Sequence, residues 1–164
     1  EQAALRAWKL YELQRPYSAV AAFEEALSVM PAQHRQREAT QYGYVLALMQ
    51  AGFHQKARRE ASDIHTPQFQ EALAQQSEMD AVYYSYHQGD YEETLAKLKL
   101  YADTYELDVA LVEIQAWALY HSDRKREALE TYFQLVQDFP FDKQYQTSYH
   151  MMKCQVYPSD LSCF

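Results

Sequence analysis

Three glycines and five prolines in 164 residues are too few turn formers for an all-β fold, which needs them at every hairpin. The same scarcity excludes collagen-like and low-complexity chains. Basic residues are outnumbered, 15 Lys and Arg against 23 Asp and Glu. The formal charge of -8 argues against a binder of phosphate backbones, so no nucleic-acid partner is expected. No stretch approaches the roughly 18 apolar residues of a membrane helix, and no direct membrane insertion is expected. There is no Gly-rich phosphate loop, no His-Glu-x-x-His and no Gly-x-Ser-x-Gly. The six histidines, at 34, 54, 65, 87, 121 and 150, are scattered without ligand spacing. Neither catalysis, nor a metal, nor a cofactor is expected. What the chain does have is apolar bulk: 48% hydrophobic residues, 15% aromatic, with 15 tyrosines, ample for a packed core.

The only two cysteines, Cys154 and Cys163, fall near the C-terminus. They read either as a short-loop disulfide, which would imply an oxidising compartment, or as two reduced thiols in a tail. His150 and Cys154 lie four apart, half a zinc site at best. The chain opens Glu1-Gln2-Ala3-Ala4-Leu5, without a Met or a charged-then-apolar leader, so a processed chain or a segment of something larger is expected.

A repeat is legible. Ala7-Trp8-Lys9-Leu10-Tyr11 recurs as Ala116-Trp117-Ala118-Leu119-Tyr120, and the match continues ungapped through Arg15/Arg124, Ala19/Ala128 and Phe23/Tyr132 to Pro31/Pro140. Two intermediate copies fit between, one carrying Leu46, Leu48, Gly52 and Ala57, the other Tyr83, Tyr86, Gly89-Asp90-Tyr91-Glu92-Glu93 and Thr94. The equivalent small position runs Ala19, Ala57, Thr94, Ala128. Each copy reads as two helices: apolar residues at three and four, a break at 14–16, 51–53, 88–90 or 122–124, then a second apolar stripe. Pro16 suits a first helical turn, and Gly52 and Gly89 suit a left-handed helix end. Thr66-Pro67 reads as an N-cap before a Pro at the first helical position. The small residue lets two antiparallel helices approach, and the large residue four further on fills the groove beside it. The segment from Ile64 to Gln76 is either an extra turn of helix or an irregular bend.

These units resemble tetratricopeptide repeats, degenerate and of bacterial envelope type. The matching positions are Ala7, Leu10, Ala19, Phe23, Ala26 and Pro31 in the first copy and Ala116, Leu119, Ala128, Tyr132 and Pro140 in the fourth. Thr94 in the third copy and Ala61 in the second, where an aromatic belongs, depart from the pattern. The resemblance implies an all-α, right-handed α-solenoid forming a single domain over 1–164. Its repeats fall at about 1–33, 36–67, 68–106 and 107–140. A capping helix with the Tyr145, Tyr149, Met152 stripe, and a tail from Val156, occupy 141–164.

It also implies which residues face the hollow side: Trp8, Tyr11, Tyr42, Leu46, Met49, Met79, Tyr83, Tyr86, Glu113, Trp117 and Tyr120. Of these, Trp8, Tyr11, Tyr42, Leu46, Met49, Tyr83, Tyr86, Trp117 and Tyr120 are the expected partner-binding set. The positions where some relatives clamp a C-terminal carboxylate hold Ala4, Trp8, Tyr42, Leu46 and Tyr83, with no cation or amide among them. The expected role is a non-catalytic scaffold that binds a protein or peptide partner on an aromatic face, as part of a larger assembly. The alternative is a periplasmic segment of an exopolysaccharide-export or envelope machine whose rings contact glycan. Periplasm or envelope is favoured over cytoplasm. The basic clusters Lys56, Arg58, Arg59 and Arg124, Lys125, Arg126 read as a solvated face paired with Glu60 or Glu127.

Overall fold

Four times along the chain a helix ends on a residue with left-handed backbone: Gln14 (φ 57°), Gly52 (φ 86°), Gly89 (φ 78°) and Asp123 (φ 63°). At each, the same two backbone bonds close the helix. Gln14 N–H donates to the Tyr11 carbonyl and Arg15 N–H to that of Leu10; Met49 and Leu48, Tyr86 and Ser85, and Tyr120 and Leu119 accept likewise after the other three. This paired closure satisfies carbonyls that a helix end leaves without partners. The left-handed residues are 38, 37 and 34 apart, the spacing of the small residues that follow each by five.

The computed structural model describes every residue from Glu1 to Phe164 and is all-α. Its helices are α1 (Gln2–Glu12), α2 (Pro16–Val29), α3 (Arg37–Gln50), α4 (His54–Ala61), α5 (Pro67–His87), α6 (Tyr91–Thr104), α7 (Val109–His121), α8 (Lys125–Asp138) and α9 (Lys143–Val156). A short 3-10 turn follows at Leu161–Cys163. Packing is concentrated between consecutive helices, the signature of helix-turn-helix units of the α-solenoid class. The chain forms two compact units, Glu1–Ala74 and Gln75–Phe164, with the boundary inside α5.

In the first unit, Ala7, Ala19, Ala22, Phe23, Tyr44, Val45, Ala47, Leu48, Ala57 and Ile64 form one core. The close approach at its centre depends on Gly43: a Cβ there would lie 2.6 Å from both Phe23 Cζ and Trp8 Cζ2. Large and small residues trade places between hairpins. Phe23 is followed three residues on by Ala26, whereas Ala61 in the second hairpin is followed by the buried Ile64. The missing aromatic at Ala61 is thus offset one turn later.

The segment between α4 and α5 is a bend up to Thr66, after which helix runs unbroken to His87. Pro67 opens α5 as its fixed φ favours. The Thr66 hydroxyl does not cap the helix but donates to Glu38 Oε2 at 2.7 Å. The Glu38 carboxylate also accepts from the Thr66 N–H at 2.6 Å and from the His65 N–H, tying the bend to α3. Those three donors hold its carboxyl below the usual range.

In the second unit, Val82, Leu98, Tyr101 and Leu111 form one buried cluster. Ala116, Leu119, Ala128, Leu129, Tyr132, Leu135 and Met152 form another. Asp90, Asp108 and Asp142 cap α6, α7 and α9, each carboxylate accepting from an N–H of the first turn. Helix α9 buries Met152 and packs Tyr145, Tyr149 and Val156 on the α7–α8 hairpin. The residues after Val156 are not a free tail. A Cys154–Cys163 disulfide and a Lys153–Asp160 ion pair at 3.0 Å fold them back onto α9.

Candidate functional site

Relative to the left-handed residue, the expected partner-binding side chains other than Tyr42 fall in two registers. Six positions before it stand Trp8, Leu46, Tyr83 and Trp117; three before it stand Tyr11, Met49, Tyr86 and Tyr120. Successive members within a helix are one turn apart and share a face. Except for Leu46, which is 8% exposed, they are partly buried.

In the first unit the structure brings Trp8, Tyr11 and Tyr42 together. Trp8 meets Tyr11 edge-on at 6.0 Å between centroids, Phe23 at 5.3 Å, and Tyr42 at 6.3 Å. Tyr42 in turn stacks on Phe69 of α5 at 4.7 Å, with 10° between planes. Phe69 was not singled out from the sequence, because nothing local marks a ring in the α4–α5 segment as the partner of one in α3. Burial pushes the Tyr42 phenol up. A cleft of about 110 Å³ in this unit, lined by Ala3, Ala4, Ala26, Val29, Met30 and His34 among others, includes none of these rings.

In the second unit Trp117 is the hub. It lies 5.7 Å from Tyr120, 5.9 Å from Tyr132 and 6.2 Å from His121. His121 stacks on Tyr91 at 4.7 Å, and Tyr91 meets Tyr86 at 5.8 Å. The chain of rings Tyr86–Tyr91–His121–Trp117 thus joins α5, α6 and α7. His121, exposed at the surface, contributes its ring to this row. Lys125 places its Nζ 5.3 Å from the centre of the Tyr120 ring. Tyr83 and Tyr86 are pushed up chiefly by burial. The fully buried Tyr132 donates to Glu113 Oε1 at 2.8 Å. Burial and that carboxylate push its phenol up to about 12.

The basic clusters pair differently in the two units. Arg124 forms the expected bond to Glu127, at 2.6 Å. Lys56 pairs with Glu24 at 2.6 Å rather than Glu60, because α2 packs beside α3 and Tyr44 from α3 donates to the same Glu24 oxygen. Glu60 instead accepts from Gln41 Nε2 at 2.8 Å. His150 Nε2 lies 3.7 Å from Cys154 Sγ, so the one His–Cys pairing on the chain sits beside the disulfide. No three His, Cys, Asp or Glu side chains converge as metal ligands would, and no helix is long and apolar enough to cross a membrane.

Compared with known proteins, the chain matches no family model, no curated protein and no solved structure.

Proposed function

We propose that this chain is a non-catalytic docking module of tetratricopeptide type that holds a partner polypeptide against its aromatic rings. The observation that carries this reading is the state of the rings. Trp8, Tyr11 and Tyr42 in one unit, and Tyr83, Tyr86, Trp117 and Tyr120 in the other, pack against core residues or neighbouring rings yet remain partly exposed. Pre-oriented rings contribute contact area at little entropic cost, and aromatic anchors often carry about 2 kcal/mol or more of binding energy.

Selection from a displayed random-peptide library tests the reading. Peptides enriched on the wild type are expected to bind Tyr11→Ala or Trp117→Ala at least tenfold more weakly. Enrichment of nothing, or of peptides indifferent to both changes, removes the rings from the argument.

The disulfide supports an oxidising compartment, the periplasm or cell envelope of a bacterium, for this module. The same disulfide and the accessible tryptophan edges favour glycan contact as the second reading. Titration with oligosaccharides, followed by tryptophan fluorescence, decides it: no response up to millimolar sugar eliminates glycan as the ligand.

A further inference from the structure

One carboxylate among the rings lacks a counter-charge. Glu113 sits one turn before Trp117 on the same face of α7. The equivalent positions of the other repeats hold Ala4, Tyr42 and Met79, so the charge is peculiar to the fourth. Glu113 is partly buried and held in place by the Tyr132 hydroxyl at 2.8 Å. The Tyr132 ring that holds it is flanked by Trp117 and Tyr145, at 5.9 and 6.3 Å between centroids. Tyr86 and Tyr145 are near enough that, after burial, the Glu113 charge contributes to pushing both phenols up.

The ion pairs of the molecule join Lys56 to Glu24, Lys97 to Glu93, Arg124 to Glu127 and Lys153 to Asp160. None reaches Glu113, and the Tyr132 bond is the one hydrogen bond to its carboxylate. A carboxylate has about four acceptor positions, of which the Tyr132 hydroxyl takes one. A carboxylate fixed beside aromatic rings matches a cation that can both hydrogen-bond and lie on a ring. Lys125 on Tyr120, two turns along the same helix from Glu113, is an intramolecular instance of the ring half of that arrangement.

We propose that Glu113 and the Trp117 ring form a subsite for a guanidinium or ammonium group presented by a basic partner polypeptide. The inference rests on the docking reading above and deepens it by specifying the chemistry of the partner. The net charge of -8 attracts such a partner from a distance, and the subsite gives it a fixed seat.

The probe is acetyl-Arg-Arg-Arg-amide, with its citrulline counterpart as the neutral control, at about physiological salt. The chain has two tryptophans, hence two indole N–H resonances. The arginine peptide is expected to move that of Trp117 and leave that of Trp8 in place, and the citrulline peptide to move neither. Glu113→Gln keeps an oxygen for Tyr132 but removes the charge, and should weaken the arginine peptide at least tenfold. Glu130→Gln, an exposed change of equal charge, should weaken it less than twofold. No shift at Trp117, equal shifts at both tryptophans, or equal losses in the two variants would overturn the subsite. Library peptides that depend on the rings but carry no Lys or Arg would overturn it too, and leave docking intact. A Glu113-dependent shift with no selectable peptide would sink docking and keep the cation site.

Discussion

The Thr94 hydroxyl lies 3.0 Å from the Ser85 hydroxyl and 2.7 Å from the Asp90 carbonyl inside the third hairpin, where Thr94 and Ser85 are 0% and 2% exposed. Ser85 donates onward to the Val82 carbonyl at 2.9 Å. The other three hairpins hold an aliphatic pair at the same two places: Leu10 with Ala19, Leu48 with Ala57 and Leu119 with Ala128. The third hairpin has made its small residue larger and its large residue smaller, and has bonded the two hydroxyls that result. The exchange sets the two buried hydroxyls against each other, so neither is left without a polar neighbour.

That relationship predicts coupling. Thr94→Ala alone leaves a void and removes a partner of Ser85; Ser85→Leu alone crowds Thr94. Each single change should cost about 1–3 kcal/mol. The double change restores the pairing of the other hairpins and should be less destabilising than the sum by about 1 kcal/mol or more. Urea unfolding midpoints of the four proteins measure this, and strict additivity would refute it.

Gly43→Ala sets propensity against packing. In an open helix the change gains about 0.8–1 kcal/mol. Here the new methyl would meet Phe23 at 2.6 and 2.7 Å and Trp8 at 2.6 Å, and both rings are wedged among buried neighbours. A net loss of about 1–3 kcal/mol is expected. Thermal melting monitored at Trp8 reports it, and a raised melting temperature would show that the rings can yield.

The left-handed helix ends predict the opposite sign for adding glycine. Asp123→Gly removes a Cβ from a conformation that disfavours one and should stabilise by about 0.5–1 kcal/mol. Gln14→Gly should gain less, since it gives up the bond that Gln50 Nε2 donates to Gln14 Oε1 at 2.6 Å. Gly52→Ala should lose about 1 kcal/mol by the same argument. Denaturant midpoints with unchanged slopes are the readout.

Glu38 makes acid stability local. Its carboxyl in the folded chain lies below the ordinary value of 4.5, held down first by the Thr66 hydroxyl and then by the Thr66 and His65 N–H groups. Its contribution is therefore complete above pH 4.5 and is lost as the pH falls through the lower, folded value. Glu38→Gln should reduce stability at pH 7 and flatten its fall in acid. Hydrogen exchange at residues 65–70 should rise in the variant at pH 7 and in the wild type only at low pH. Identical acid profiles for the two proteins would contradict the assignment.

Much of the fold was legible because its markers are local. The αL-prone Gly52 and Gly89, Pro16 after a break and the small residues at 19, 57 and 128 each act within one turn of chain. The candidate rings were legible as registers for the same reason. Phe69 on Tyr42, and His121 on Tyr91, were not. They are meetings between helices, and no spacing along the chain encodes the distance between two helix faces. The same holds for Lys56, whose partner Glu24 is 32 residues away, across a helix interface. The single-residue view marked Thr94 as a flaw in the repeat, and only the neighbouring Ser85 turned it into a compensated pair.

Helix periods, breaks and the three-dozen-residue step follow from backbone preference and apolar spacing, which nearest neighbours decide. Which rings touch, which carboxylate remains without a cation and how the two cysteines close the final turn follow from packing between helices. Those outcomes depend on volumes and charges far apart in the chain, and each is settled only when helices from different parts of it come together.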